Sequence, residues 1–364
     1  MPSGTSGKPP SRAADGAGKG PEGATATPPA ATPRLGQMPE DRDPLVWVLS
    51  DDRAGNTSQA LGVAEALGWE FVTKDIRYTW AGRLPNVLRR ASLIGVDAST
   101  GSAMVSPWPD LVIAAGRRTA PVARWIKRRN PAAYLCQIMW PGASGLNDFD
   151  LIAVPSHDHL PGVRDNVMRI TGAPHRVTET RLAIEAARWH TRLGSLKRPL
   201  FALIVGGSTK NRTFTPAMAR DLAEQVGTMV RATGGSLVVT TSRRTGREAE
   251  TALMKALPAP AHLFRWGDTG ENPYFGYLAH ASAVIVTGDS VSMVSEACAT
   301  QAPVYIYAPP ALITPKHARL HQNLYALGLA EPLSGLYRPW VHPALNAATD
   351  IAASIRRALV GDRL

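Results

Sequence analysis

The chain has 364 residues, with 40 Lys plus Arg against 29 Asp plus Glu and a net charge of +11. That length gives room for two ordinary domains. No apolar run approaches the ~20 residues of a membrane span. The charge suits phosphorylated small molecules, acidic lipid headgroups or nucleic acid and by itself favours none of them; the basic residues are scattered and match no nucleic-acid motif, so no nucleic-acid partner is expected.

Residues 1–43 are rich in Gly, Pro, Ala, Ser and Thr and hold five residues of each sign, so the whole basic excess belongs to residues 44–364. This stretch cannot bury a core and lacks the apolar segment of a signal peptide, so it reads as a disordered tail. A cytoplasmic protein is expected, with peripheral contact at the inner face of a membrane. Cys136 and Cys298 sit in apolar runs without CxxC or Cys/His spacing. They read as buried free thiols, and no metal site is expected.

From Pro44 onward strands alternate with helices. LVWVLS (45–50) is apolar throughout, as a strand covered on both faces would be. The turn DDRAGNTSQ and the helix ALGVAEALG follow it, and then the strand WEFVTKDI. LPNVLRRASLIG reads as helical, DLVIAAG (110–116) as a strand, RRTAPVARWIKRRN as its loop and helix, and AYLCQIM (133–139) and FDLIAVP (149–155) as further strands. RLAIEAARWHTRLGSL (181–196) reads as a bridging helix, after which the rhythm restarts. LFALIVGG (200–207), SLVVTTS (236–242), AHLFRW and ASAVIVTG are the strands of the second run, which closes on the helix LNAATDIAASIRRALV. This alternation implies parallel sheets covered on both faces. Two such runs predict two doubly wound α/β domains facing a cleft: 44–178, a linker helix at 179–197, and 198–364 with the last helix included.

Ligands in such folds sit beyond the carboxyl ends of the strands. Four polar or Gly-rich loops fall there: Asp51 to Gln59; Gly116 to Thr119; Gly206, Gly207, Ser208, Thr209 and Lys210; and Thr287 to Ser290. GGSTK resembles a phosphate loop, with glycines for close approach and Lys210 or Arg212 for charge. It is not a Walker A loop, and a tight strand-to-loop turn is the structural alternative. In VTGDSVSMVSEA (286–297), Asp289 or Ser290 can cap the helix. Ser292 and Glu296 are four apart and share a face, with Ser295 beside them. A carboxylate there is well placed to accept two ribose hydroxyls; a solvated helix face is the structural alternative.

VTGDSVSMVSEA, NPY (272–274), GGSTK, TSRRT (241–245), FDLIAVPSHD (149–158) and SDDRAGNTSQALGVAEAL (50–67) together resemble the family of the plant mitochondrial-fission protein called "elongated mitochondria". Many bacterial members of that family are described as glycosyltransferases, and the resemblance runs from about Leu45 to the C-terminus. It implies a GT-B-like pair of Rossmann-like domains and a metal-independent glycosyltransferase. The substrate would be a nucleotide-diphosphate sugar, with no separate cofactor, and the acceptor would be lipid-linked or part of the cell envelope. By that resemblance Gly207, Ser208 and Thr209 meet the diphosphate, with Ser290 and Ser292 near the phosphates; Gly206 belongs to the same loop, and Lys210 or Arg243 would stabilise the charge that builds on the diphosphate. Glu296 holds the ribose, and Asn272 belongs to the same nucleotide-sugar side. The N-terminal domain would take the acceptor. Asp51 is the first candidate for the base that removes the acceptor's proton, and His157 with Asp158 is the second. Some such transferases carry a His in the first Gly-rich turn, where this chain has Asn56.

RYTWAGRLPNVLRRASLIG (77–95) mixes four arginines with apolar side chains. It fits either an anionic membrane surface or an amphipathic helix packed on the sheet. Arg124, Trp125, Lys127, Arg128 and Arg129 admit the same two readings. Three other functions are weighed. A hydrolase would use Ser290 in a nucleophile elbow, with His317 or His321 downstream, but Ser292 replaces the last Gly of that motif. An epimerase of the short-chain dehydrogenase type needs a YxxxK pair and a GxGxxG loop, and the chain has neither. A non-enzymatic, membrane-associated adaptor is compatible with the fold.

Overall fold

A computed structural model describes residues 42–160 and 162–361. The tail expected over 1–43 therefore lies outside the described residues, apart from its last two positions. The first half runs β1 (Val46–Ser50), α1 (Ala54–Leu67), β2 (Phe71–Asp75), α2 (Asn86–Arg89), α3 (Ala98–Ser102), β3 (Leu111–Ala115), α4 (Ala120–Arg129), β4 (Tyr134–Ile138), β5 (Leu151–Pro155) and β6 (Val167–Ile170). Helix α5 (Glu179–Leu193) leads into β7 (Leu200–Val205), α6 (Pro216–Thr233), β8 (Ser236–Thr241), α7 (Arg247–Ala256) and β9 (His262–Phe264). Then come α8 (Tyr274–His280), β10 (Ala283–Thr287), α9 (Val291–Ala297), β11 (Val304–Tyr307), α10 (Pro315–Ala326), β12 (Glu331–Pro332) and α11 (Ala347–Val360).

The strands form two six-stranded sheets, ordered β2-β1-β3-β4-β5-β6 and β12-β11-β10-β7-β8-β9. Every pairing is parallel; Val48, for example, is in register with Thr73 on one side and Ile113 on the other. These are two Rossmann-like doubly wound domains of the GT-B kind. All side chains of β1, β3, β4, β5, β7 and β10 are buried, because helices cover both faces, and so these strands read as unbroken apolar runs. Each fully buried Val, Leu or Ile contributes roughly 1.5–3 kcal/mol. Cys136 and Cys298 are buried free thiols, and burial pushes both up to about 12. No helix among the described residues is long and apolar enough to cross a membrane.

Helix starts follow capping chemistry. Thr215, Ser290, Thr314 and Asn346 each accept a backbone N–H from the first turn of their helix, and Pro216 and Pro315 stand at first helical positions, where the missing N–H costs nothing. One expected helix is largely absent. Residues 84–95 give only the short α2, preceded by a 3₁₀ turn at Trp80–Arg83. Arg90 takes a positive φ of 47° and stops the helix. Arg89 turns inward and is fully buried, where it donates to the carbonyls of Ile94 at 2.9 Å and Arg118 at 3.1 Å.

The last helix comes after the second sheet in the chain but packs on the first. Ile351 and Ile355 share a core with Val46, Val48 and Ala60. The chain thus passes between the domains twice, after β6 and again at Leu345. His175, on the first passage, donates from Nε2 to the Leu345 carbonyl at 2.9 Å on the second.

Candidate functional site

In a doubly wound sheet the ligand crevice opens where the strand order reverses. In the second sheet that point lies between β7 and β10, so the loop after β7 meets the loop after β10. The Gly206 amide donates to Thr287 Oγ1 at 2.7 Å, and the Gly207 amide donates to Asp289 Oδ2 at 2.9 Å. Ser208 N–H reaches the Arg244 carbonyl at 2.7 Å, and Thr209 N–H reaches the Arg212 carbonyl at 2.8 Å. Gly207 has a φ of +138°, and a Cβ there would stand 2.1 Å from the Arg244 carbonyl oxygen, so both conformation and space require glycine. Asp289 is buried and paired with the Arg244 guanidinium, and its Oδ1 is left without a partner.

The structure therefore brings Gly206, Gly207, Ser208, Thr209 and Asp289 together, as the strand-end positions predict. Asp289 braces the opposite loop, while Ser290 caps α9 through the Met293 amide at 3.4 Å. Lys210 and Arg243 are exposed at the rim. The arginine that enters the loop is Arg244, which sequence reasoning missed; the pair in TSRRT carries no signal that tells its two members apart. No bond from the Ser290 hydroxyl to a histidine forms among the described residues, so the hydrolase alternative has no nucleophile–base pair.

One and a half turns into α9, Glu296 is half-buried, and its Oε2 accepts the Tyr274 hydroxyl. No described residue donates to its other oxygen. Burial pushes the Glu296 carboxyl up to about 7, against the opposing pull of the Tyr274 hydrogen bond and the Arg181 charge. Burial, with the neighbouring carboxylate, holds the Tyr274 hydroxyl well above its ordinary value. Asn272 Oδ1 accepts the Tyr274 amide at 3.0 Å, so Asn272, just ahead of α8, helps to place Tyr274. Ser292 is half-buried on the Glu296 face. Ser295 points elsewhere: its Oγ accepts the Ala173 amide at 2.9 Å and donates to the Val291 carbonyl at 2.8 Å.

The reversal point of the first sheet lies between β1 and β3. Asp51 is buried there. Its Oδ1 accepts the Arg53 amide at 3.0 Å, and its Oδ2 accepts Asn56 Nδ2 at 3.1 Å, with Arg118 at 3.5 Å. Gly116 has a φ of +81°, and a Cβ on it would lie 2.5 Å from Asn56 Nδ2, so the β3 loop closes tightly over Asn56.

His157 and Asp158 sit instead against α10 of the second domain. The His157 carbonyl accepts Arg319 Nε at 2.9 Å, and Asp158 pairs with Lys316 at 2.7 Å. The His157 ring is 1% exposed, with no partner on either nitrogen. Burial and the Lys316 charge push it down to about 4, so it is neutral near pH 7. Two further histidines of α10 belong to this zone. His317 closes a capping box with Thr314, and burial lowers it while the Asp289 charge opposes. His321 packs against Gly288, where a Cβ would meet its Cε1 at 2.5 Å, and burial pushes it down to about 4. Sequence spacing could not show that α10 folds back over the Gly288 loop.

A profile of the family described as "Mitochondrial fission ELM1" matches residues 54–359. The chain is 31% identical over 276 residues to the Mitochondrial fission protein ELM1 of Arabidopsis thaliana, covering 69% of this chain and 64% of that protein, just under two thirds of its length. It is 26% identical over 352 residues to the uncharacterized protein RP120 of Rickettsia prowazekii, covering 86% of this chain and 98% of that one. Among solved structures, the UDP-GlcNAc 2-epimerase of Methanocaldococcus jannaschii aligns with 85% of this chain and 99% of its own, at 9% identity and a TM-score of 0.48.

Proposed function

This chain belongs to the mitochondrial fission ELM1 family, and we propose that it is a glycosyltransferase that moves a sugar from a nucleotide-diphosphate donor to a lipid-linked or cell-envelope acceptor. One observation carries the reading. The reversal point of the second sheet gathers a Gly-rich loop, the Arg244 guanidinium and the start of α9, with Ser292 and Glu296 on one face of that helix. Cations and a helix start suit a diphosphate, and a carboxylate with an uncommitted oxygen suits a pair of ribose hydroxyls.

In the proposed reaction the bond from the sugar's anomeric carbon to the donor phosphate oxygen breaks, and its electron pair stays on the phosphate. Arg244 and Lys210 offset that charge. The acceptor's hydroxyl oxygen bonds the carbon, and its proton passes to Asp51 at the crevice of the first domain. His157 and Asp158 serve the contact with α10 in this scheme, because the ring is buried and the carboxylate is paired with Lys316.

A second reading, the non-enzymatic adaptor, is favoured by a different observation: the four amides from Gly206 to Thr209 all have partners within the chain. Calorimetric titration with a panel of nucleoside diphosphates and nucleotide sugars decides between the two readings. Saturable binding of one base, weakened at least about tenfold (about 1.4 kcal/mol) in Glu296→Ala with its circular dichroism unchanged, supports the donor site. Absence of binding by every nucleotide overturns the transferase and leaves the adaptor.

A further inference from the structure

The segment from Ile76 to Val96 packs on the first sheet through Ile76, Tyr78, Leu93 and Val96 and turns its other apolar side chains outward. Trp80, Val87, Leu88 and Ile94 are 78%, 62%, 60% and 50% exposed. Other exposed large apolar side chains, such as Val163, Ile184 and Trp266, are spread along the chain. From Ile76 to Val96 the chain carries Arg77, Arg83, Arg89 and Arg90 and no acidic residue. Arg89 is consumed inside, whereas Arg77, Arg83 and Arg90 are exposed. The end of α4 adjoins the patch through Arg128, which donates to the Ala91 carbonyl at 3.4 Å.

The patch is fixed to the ligand end of the sheet. The buried Asn86 side chain donates to the carbonyls of Arg117 and Pro141, both at 2.8 Å, in the loops after β3 and β4. Beside it opens a cavity of about 650 Å³, lined by Pro85, Val87, Pro141 and Ala143 with Arg83 and Arg117. Exposed apolar side chains ringed by exposed guanidinium groups match a surface whose outer layer is anionic and whose interior is hydrocarbon. Tryptophan and arginine both straddle such a boundary.

We propose that this face docks the protein on an anionic lipid bilayer, with Trp80, Val87, Leu88 and Ile94 entering the headgroup boundary and Arg77, Arg83 and Arg90 meeting its phosphates. The crevice at Asp51 then opens beside the membrane, so the acceptor is drawn from that surface. This last step rests on the transferase reading; the docking does not.

Sedimentation of the full chain with vesicles of phosphatidylglycerol and phosphatidylcholine, and with phosphatidylcholine alone, tests it. Binding to the anionic vesicles only is expected, weakening as salt rises. Val87→Glu with Leu88→Glu, and separately Arg83→Glu with Arg90→Glu, should each lower partitioning at least about tenfold. All four side chains are exposed, so an unchanged urea midpoint confirms that the variants fold. Equal partitioning of the variants and the parent chain overturns the proposal, as does failure to bind anionic vesicles; in the latter case the face belongs to a protein partner. Nucleotide titration of the same variants keeps the two readings apart. Vesicle binding without any nucleotide binding upholds the docking and removes the transferase. Nucleotide binding without vesicle binding does the reverse.

Discussion

Ser295 Oγ stands 2.9 Å from the Ala173 amide, joining α9 of the second domain to the segment that leaves the first. Both groups are buried, so no water can replace the bond. Ser295→Ala removes the acceptor and leaves the amide unpaired, at a cost of roughly 1–3 kcal/mol. Urea denaturation should show that loss, and hydrogen exchange at Ala173 should quicken. An unchanged exchange rate would mean the bond contributes nothing.

Asp289 holds the Gly207 amide and the Arg244 guanidinium with one carboxylate. In Asp289→Ala both donors lose their acceptor inside the protein, and about 3 kcal/mol of stability should go with them. Asp289→Asn keeps an acceptor for Gly207 and loses only the charge, so it should fall between the two. A single chemical-denaturation series on the three chains ranks them, and equal midpoints would show that the brace is idle.

Glu296 makes stability depend on pH in an unusual direction for a carboxyl. Burial raises it to about 7 in the folded chain, above its value in the unfolded one. Its contribution is therefore complete below the ordinary carboxyl range and is lost as pH rises toward 7. Glu296→Gln should remove this decline, of order 2 kcal/mol, from the stability profile between about pH 4.5 and 7. Matching slopes in parent and variant would place the ionisation elsewhere.

Three buried histidines work in the opposite sense. His157, His175 and His321 are each pushed down to about 4, burial being the main cause. Their folded values lie below the unfolded one, so the stability they support is present above about pH 6.5 and drains away as pH falls toward 4. At pH 5 each should cost about 2 kcal/mol. Replacing His321 by Gln should recover part of the difference between pH 7 and pH 5, and an undiminished difference would count against the assignment.

Much of this architecture can be read from the chain because buried parallel strands advertise themselves. LVWVLS, DLVIAAG and LFALIVGG leave no polar face, and the loops after them mark the ligand end. What cannot be read is what long-range packing decides. Arg243 and Arg244 are neighbours of one type, and only the path of the loop after β8 turns Arg244 toward Asp289. The 84–95 segment has helical composition, but Arg89 satisfies distant carbonyls instead of lying on a helix face. Asp289 and Ser290 both read as possible caps of α9; Ser290 is the cap and Asp289 a brace, because the loop Asp289 touches is 82 residues away in sequence. The return of α11 to the first sheet leaves no mark in the order of elements at all.

That return has a mechanical consequence. The two passages between the domains lie side by side, tied by His175 and Leu345 and flanked by Gly172 at a positive φ of 69°. Any rotation of one domain against the other therefore has to bend both passages together and disturb the ties at Ser295, Arg319 and Lys316.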